Sequence, residues 1–143
     1  MEHNDAPGSE LTYRIIGLAM RVHRRLGPGL LESIYEKCLC YELARAELQF
    51  QRQVPLPVHY DDTVLDTGYI ADIIVANQVI LELKAVERIL PIHEVQLLTY
   101  LRITECRIGL LINFNTVSLT RRDQTPSIVT PCAPKPGTHP RIR

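Results

Sequence analysis

Two charged residues stand inside an otherwise apolar stretch, Val79-Ile80-Leu81-Glu82-Leu83-Lys84-Ala85. In a β-strand, alternation puts Ile80, Glu82 and Lys84 on one face and Val79, Leu81 and Leu83 on the other. Burying a charge without a partner is costly, so such a pair needs a reason. Either the face is solvated and Glu82 and Lys84 satisfy each other, or they belong to a metal centre. A metal centre requires a second carboxylate on a neighbouring strand. Asp72, in Tyr69-Ile70-Ala71-Asp72-Ile73-Ile74-Val75, is that candidate, again a lone charge in an apolar run. Hard Mg²⁺ or Mn²⁺ takes oxygen ligands and keeps several waters. Two carboxylates meet that demand and leave positions for a phosphate oxygen and a nucleophilic water. A lysine beside them can steady developing negative charge or help deprotonate the water.

The two segments read as the arms of a hairpin, Thr67–Val75 and Val79–Ala85. Its register decides whether the carboxylates can meet. A two-residue turn at Asn77-Gln78 would pair Ala76 with Val79 and put Asp72 and Glu82 on opposite faces. A three-residue connection pairs Val75 with Val79 and brings Asp72 opposite Glu82. The metal reading therefore predicts an odd-length connection or a bulge, with the carboxylates within roughly 5 Å of each other.

Around this hairpin the period changes. Ser9–Leu26 is helical, with Leu11, Ile15, Leu18, Ala19, Val22 and Leu26 on one stripe. Arg14, Arg21, Arg24 and Arg25 lie on another side of it, a solvated face or a set of phosphate contacts. Gly27-Pro28-Gly29 ends this helix and leads into a second over about 30–48. Val54–Tyr60, interrupted by Pro55 and Pro57, suits an edge strand. Pro91 opens a third helix that runs to about Thr104. Arg107–Phe114 is nearly all apolar, as a strand buried on both faces would be, and Val117–Arg121 is a candidate short final strand. Strand, helix and strand over 79–114 form a crossover unit, which implies parallel strands beside an antiparallel hairpin. The expected fold is α/β, a mixed central sheet with helices on both faces. Residues 1–8 read as a flexible leader, 9–122 as one domain and the proline-bearing 123–143 as a disordered tail.

Composition sets limits. The 143 residues suit one domain, with 45% hydrophobic and 22% charged residues as in ordinary globular proteins. Formal net charge is zero, so any nucleic-acid contact must rest on a local patch. No stretch is apolar for long enough to span a bilayer, so no membrane partner is expected. Cys38, Cys40, Cys106 and Cys132 form no CxxC, and reduced thiols in the cytoplasm are the simple account. There is no Gly-rich phosphate loop, no G-x-S-x-G elbow and no HExxH.

Asp72 and, after nine intervening residues, Glu82-Leu83-Lys84 resemble the D-x(n)-E-x-K signature of the PD-(D/E)XK nuclease superfamily. Gln96-Leu97-Leu98-Thr99-Tyr100 resembles the QxxxY element of RecB-like branches. Gly29-Leu30-Leu31-Glu32-Ser33-Ile34-Tyr35 matches the motif of the GxxExxY family, and Gly109–Phe114 is similar to that family too. The resemblance implies a restriction-endonuclease-like core and a divalent-metal-dependent nuclease acting on DNA in preference to RNA. The alternative is a catalytically idle module of the same fold that binds nucleic acid or protein. A homo-oligomer stays open.

On this resemblance Asp72, Glu82, Lys84 and Glu32 are the catalytic candidates. Asp72, Glu82, Glu32 and the Leu83 carbonyl would hold the Mg²⁺ or Mn²⁺. Gln96, Tyr100, Tyr35 and His93 would position substrate. Glu32 shares a helical stripe with Leu39 and Leu43, which points it inward. As a first-turn acid it also suits the helix dipole. Gln96 and Tyr100 share one face with His93 and Leu97, where a polar helix edge is the plainer reading.

Overall fold

The computed structural model describes residues 9–117 and 127–129. Helices α1 (Ser9–Leu26) and α2 (Glu32–Arg45) come first, then strand β1 (Phe50–Pro55) and a small hairpin of β2 (Val58–Tyr60) and β3 (Thr63–Leu65). Strands β4 (Ile70–Val75) and β5 (Val79–Lys84), helix α3 (Pro91–Ile103), β6 (Ile108–Asn113) and β7 (Ser127–Val129) follow. The main sheet has the order β1-β4-β5-β6-β7. Among the described strands only β5 and β6, joined through α3, pair in parallel; the remaining neighbours in this sheet are antiparallel. This is the expected mixed α/β sheet.

Each sheet face has its own core. Ile15, Ala19 and Val22 of α1 and Tyr35, Leu39 and Leu43 of α2 pack on Ile73, Val75, Leu81, Leu83, Leu110 and Ile112. Leu97, Tyr100 and Leu101 of α3 cover Ala71, Ile74, Ile80 and Leu111 on the other face. Gly109 makes the second contact close: a β-carbon there would lie 2.8 Å from Leu97 Cγ. Any larger residue at 109 would force the Leu97 side chain to shift.

The α1–α2 turn needs residues that accept left-handed backbone. Gly27 (φ 67°) and Gly29 (φ 97°) supply it, and the Gly27 N–H returns to the His23 carbonyl at 2.8 Å. Arg14 and Arg21 are turned toward α2, donating to the Ala46 carbonyl and the Glu42 carboxylate. Arg24 and Arg25 stay exposed.

Val75 pairs with Val79 across the three-residue connection Ala76-Asn77-Gln78, the odd-length turn that the carboxylates require. Ala76 and Asn77 take φ of 53° and 55° to make it. Other details differ from expectation. The strand expected over 54–60 is two, because Pro55 and Pro57 remove the N–H groups that would continue one ladder. The strand Ser127–Val129 lies in the stretch read as a disordered tail and pairs with β6. Val117 is not in a strand, and residues 118–121 of that candidate lie outside the described residues, as do the leader and 130–143.

Candidate metal centre

The β4–β5 ladder is regular from Val75↔Val79 to Ile73↔Leu81 and stops there. In the next positions two carboxylates take the place of backbone carbonyls. The Asp72 N–H donates to Glu82 Oε1 at 3.0 Å, and the Leu83 N–H donates to Asp72 Oδ2 at 2.9 Å. Each carboxylate therefore keeps one oxygen that has no hydrogen bond among the described residues. In a strand, the N–H and C=O of one residue point to the same side. The Leu83 carbonyl thus turns toward the same gap, whereas the Lys84 carbonyl points the other way and accepts from Phe114 N–H at 2.8 Å. Glu82 is 6% exposed, and Asp72 and Lys84 are half-buried.

Burial in this gap, and secondarily the Asp72 charge, push the Glu82 carboxyl up to about 8; the Asp72 N–H and Lys84 pull it back. Asp72 is also raised, chiefly by burial, against the pull of the Leu83 N–H. Two acids that disfavour joint ionisation would be relieved by a cation between them. The donor set is all oxygen, with two carboxylates and a turned carbonyl, and fits a hard divalent ion. Among the described residues no three His, Cys, Asp or Glu side chains gather at one point. Glu32 is therefore not drawn in as a third carboxylate.

A family model for the PD-(D/E)XK nuclease superfamily matches residues 9–124. The chain belongs to that superfamily. No curated protein and no solved structure matches at a significant level. The match spans both helices of the N-terminal pair and the whole hairpin, so the Asp72–Glu82–Lys84 set lies within it.

In this PD-(D/E)XK domain the helical motifs divide in their roles. Tyr100 is buried, accepts from Gln96 Nε2 at 3.0 Å, and packs at a tilt against Tyr69 with centroids 5.7 Å apart. Its phenol is pushed up by burial and then by the charge of Glu82, against the pull of the Gln96 bond. His93 has a nearer task. Its Nδ1 accepts the Leu90 N–H at 3.0 Å and caps α3, which leaves the proton of the neutral ring on Nε2.

Two expectations about the GxxExxY segment change. Tyr35, expected to position substrate, is fully buried and stacks on Phe114 at 4.5 Å. Its hydroxyl donates to the Gly27 carbonyl at 2.6 Å and accepts from Leu30 N–H at 3.1 Å, so it clamps the α1–α2 turn. Glu32, expected to face inward, is exposed. It is the first residue of α2, beyond the packed turns, so sharing an angle with Leu39 and Leu43 does not bury it. Its charge still reaches Asp72 and Glu82 and raises both.

Glu36 is one of two carboxylates that α2 buries, the other being Glu42, and sequence reasoning passed over it. It accepts from Arg52 Nε at 3.1 Å and from the Gln53 side-chain amide. The usable signal was its spacing of three and seven from Leu39 and Leu43, both fully buried. Asn113 is the second omission. It is buried at the end of β6, donates to the Val86 carbonyl at 2.8 Å and accepts the Val86 N–H at 3.1 Å. It pins the chain just after Lys84. A polar residue inside Leu110-Leu111-Ile112-Asn113-Phe114 was the signal.

Proposed function

We propose that this chain is a Mg²⁺- or Mn²⁺-dependent nuclease of the GxxExxY branch, hydrolysing phosphodiester bonds in DNA. The observation that carries the reading is the end of the β4–β5 ladder. There Asp72, Glu82 and the Leu83 carbonyl converge on one gap, with Lys84 on the Glu82 side of its strand. Asp72, Glu82 and the Leu83 carbonyl would hold the ion. When bound, a divalent ion offsets phosphate charge and acidifies water. Lys84 places its ammonium where negative charge grows on the phosphate, and it holds the attacking water in line. Tyr100 and Gln96, bonded to each other beside Glu82, orient the substrate. Glu32 adds negative potential at the mouth of the site and favours cation entry. His93 can offer its Nε2–H to a phosphate while its Nδ1 stays on the helix cap.

The zero net charge restricts the DNA contact to a local surface, for which exposed Arg24 and Arg25 are candidates. The free thiols of Cys38, Cys40 and Cys106 suit a reducing compartment, and the cytoplasm is the proposed location. Among the described residues no helix is long and apolar enough to cross a membrane.

The test is cleavage of single- and double-stranded DNA and RNA with Mg²⁺ or Mn²⁺. DNA cleavage should require the ion, and Glu82→Ala should lower it by about a hundredfold or more. Absence of cleavage on all four substrates by protein that binds Mn²⁺ would replace the nuclease with a binding module of the same fold.

A further inference from the structure

The place where Asp72 leaves its ladder is matched by an irregularity directly across the sheet. Gln53, in the edge strand β1, has φ of 52°, a left-handed value that non-glycine residues seldom adopt within a strand. The β1–β4 register runs through Arg52↔Ile73 and Val54↔Ala71 and skips the pair between them, Gln53 and Asp72. On one side of the gap Ala76 N–H bonds to the Gln49 carbonyl; on the other, Leu56 N–H bonds to the Tyr69 carbonyl, both at 2.8 Å. Bonding positions in β1 thus change from odd to even while the register is unchanged. Both strands turn over together at this point.

The core records the same event. Ile73 and Val75 face the helix pair, yet Ala71 joins Ile74 on the α3 side. Unbroken alternation would have faced the Ala71 backbone toward Leu83 and closed the ladder. The turnover leaves Leu83 N–H to the Asp72 carboxylate instead. Gln53 is held from the helix side, since its amide donates to Glu36, which is buried and also takes the Arg52 guanidinium at 3.1 Å.

We propose that Gln53 is a positioning residue for the metal centre. Its left-handed backbone, fixed by the bond to Glu36, turns β4 over and presents Asp72 to β5. The purpose of this device rests on the metal-dependent reading; its geometry does not.

The test reads the metal-free protein first, by amide hydrogen exchange of Gln53→Gly and Gln53→Val. Glycine adopts positive φ readily, whereas β-branched valine resists it. Gln53→Val should speed exchange of the Leu83 and Asp72 amides at least about tenfold, while Ile73 and Leu81 hold, because only the irregular end loosens. Gln53→Gly, which loses the tether but still adopts positive φ readily, should loosen the same amides clearly less than valine does. Glu36→Gln, which keeps shape and loses charge, should loosen the same two amides less than valine does. Mn²⁺ affinity, read by calorimetric titration, should follow the order of amide protection. Equal behaviour of the glycine and valine variants would overturn the role of the backbone, and unchanged protection in Glu36→Gln would overturn the tether. If the exchange pattern holds but the wild type binds no Mn²⁺, the positioning of Asp72 stands and the metal-dependent activity falls.

Discussion

Near the turn of the β4–β5 hairpin, Val75, Ile74 and Ile73 face Val79, Ile80 and Leu81 in strict register, and all six side chains are buried. One residue farther along, the backbone N–H groups of Asp72 and Leu83 bond to carboxylates instead of carbonyls. The same two strands thus hold a closed apolar half and an open acidic half. The regular half carries the packing that keeps the irregular half in place. The acids gain position from that packing and work against it, because both are harder to ionise there than in water.

The sharpest way to separate the halves is Lys84→Met at the open end. Hydrolysis should fall by about 10²–10⁴-fold, because a cation at the developing charge is lost. Mn²⁺ affinity by titration calorimetry should stay close to wild type, and its loss would reassign Lys84 to the ion. At the closed end, Leu81→Ala removes a fully buried side chain paired with Ile73. Urea unfolding should show a loss of about 2–5 kcal/mol. Mn²⁺ affinity of the folded variant should be kept, if the closed half supplies stability and the open half supplies function.

The pH dependence sharpens the contrast further. Glu82 rises from an ordinary 4.5 to about 8 on folding, so the folded state binds its proton more tightly than the unfolded state. Metal-free stability should therefore be greatest at the acidic end of this window, fall as pH rises through it, and level off above about 8. The drop should be on the order of a few kcal/mol, and Glu82→Gln should flatten it. Urea midpoints measured across the window check both statements. The smallest effect is the response to ion. Mn²⁺ at a hundred times its Kd should add about 2.7 kcal/mol, read as a rise in Tm. Asp72→Asn should abolish that rise and itself raise the metal-free Tm, since it removes the charge that burdens Glu82.

Much of the open half was legible in the sequence because lone charges in apolar strands are conspicuous. Asp72, Glu82 and Lys84 stood out for that reason, and parity called for an odd-length turn or a bulge, of which the three-residue turn is the former. Strands β5 and β6 and helix α3 were legible too, from continuous apolar runs and from Pro91 at a helix start. The opposite edge was not. β1 begins at Phe50, and its Gln51, Arg52 and Gln53 are exposed, so no hydrophobic alternation betrays a strand held by backbone bonds to β4. The partners of Glu36 were hidden with it, since Arg52 and Gln53 belong to that strand. Glu32 was misplaced for a related reason: a helical stripe gives an angle but not where along the helix packing begins. Ser127–Val129 is too short to carry a period, and its conformation comes from β6.

That last strand has a consequence for the borders of the sheet. β6 is apolar almost throughout, and without β7 its outer row of N–H and C=O groups would be a template for another chain. At the far side, β1 is blunted by Pro55 and by the kink at Gln53. Three residues beyond a tract outside the described positions therefore guard the more dangerous of the two borders. Trimming the chain at 122 would keep the acids, the lysine and helices α1, α2 and α3, and would still bare the outer edge of β6 to pairing with another chain.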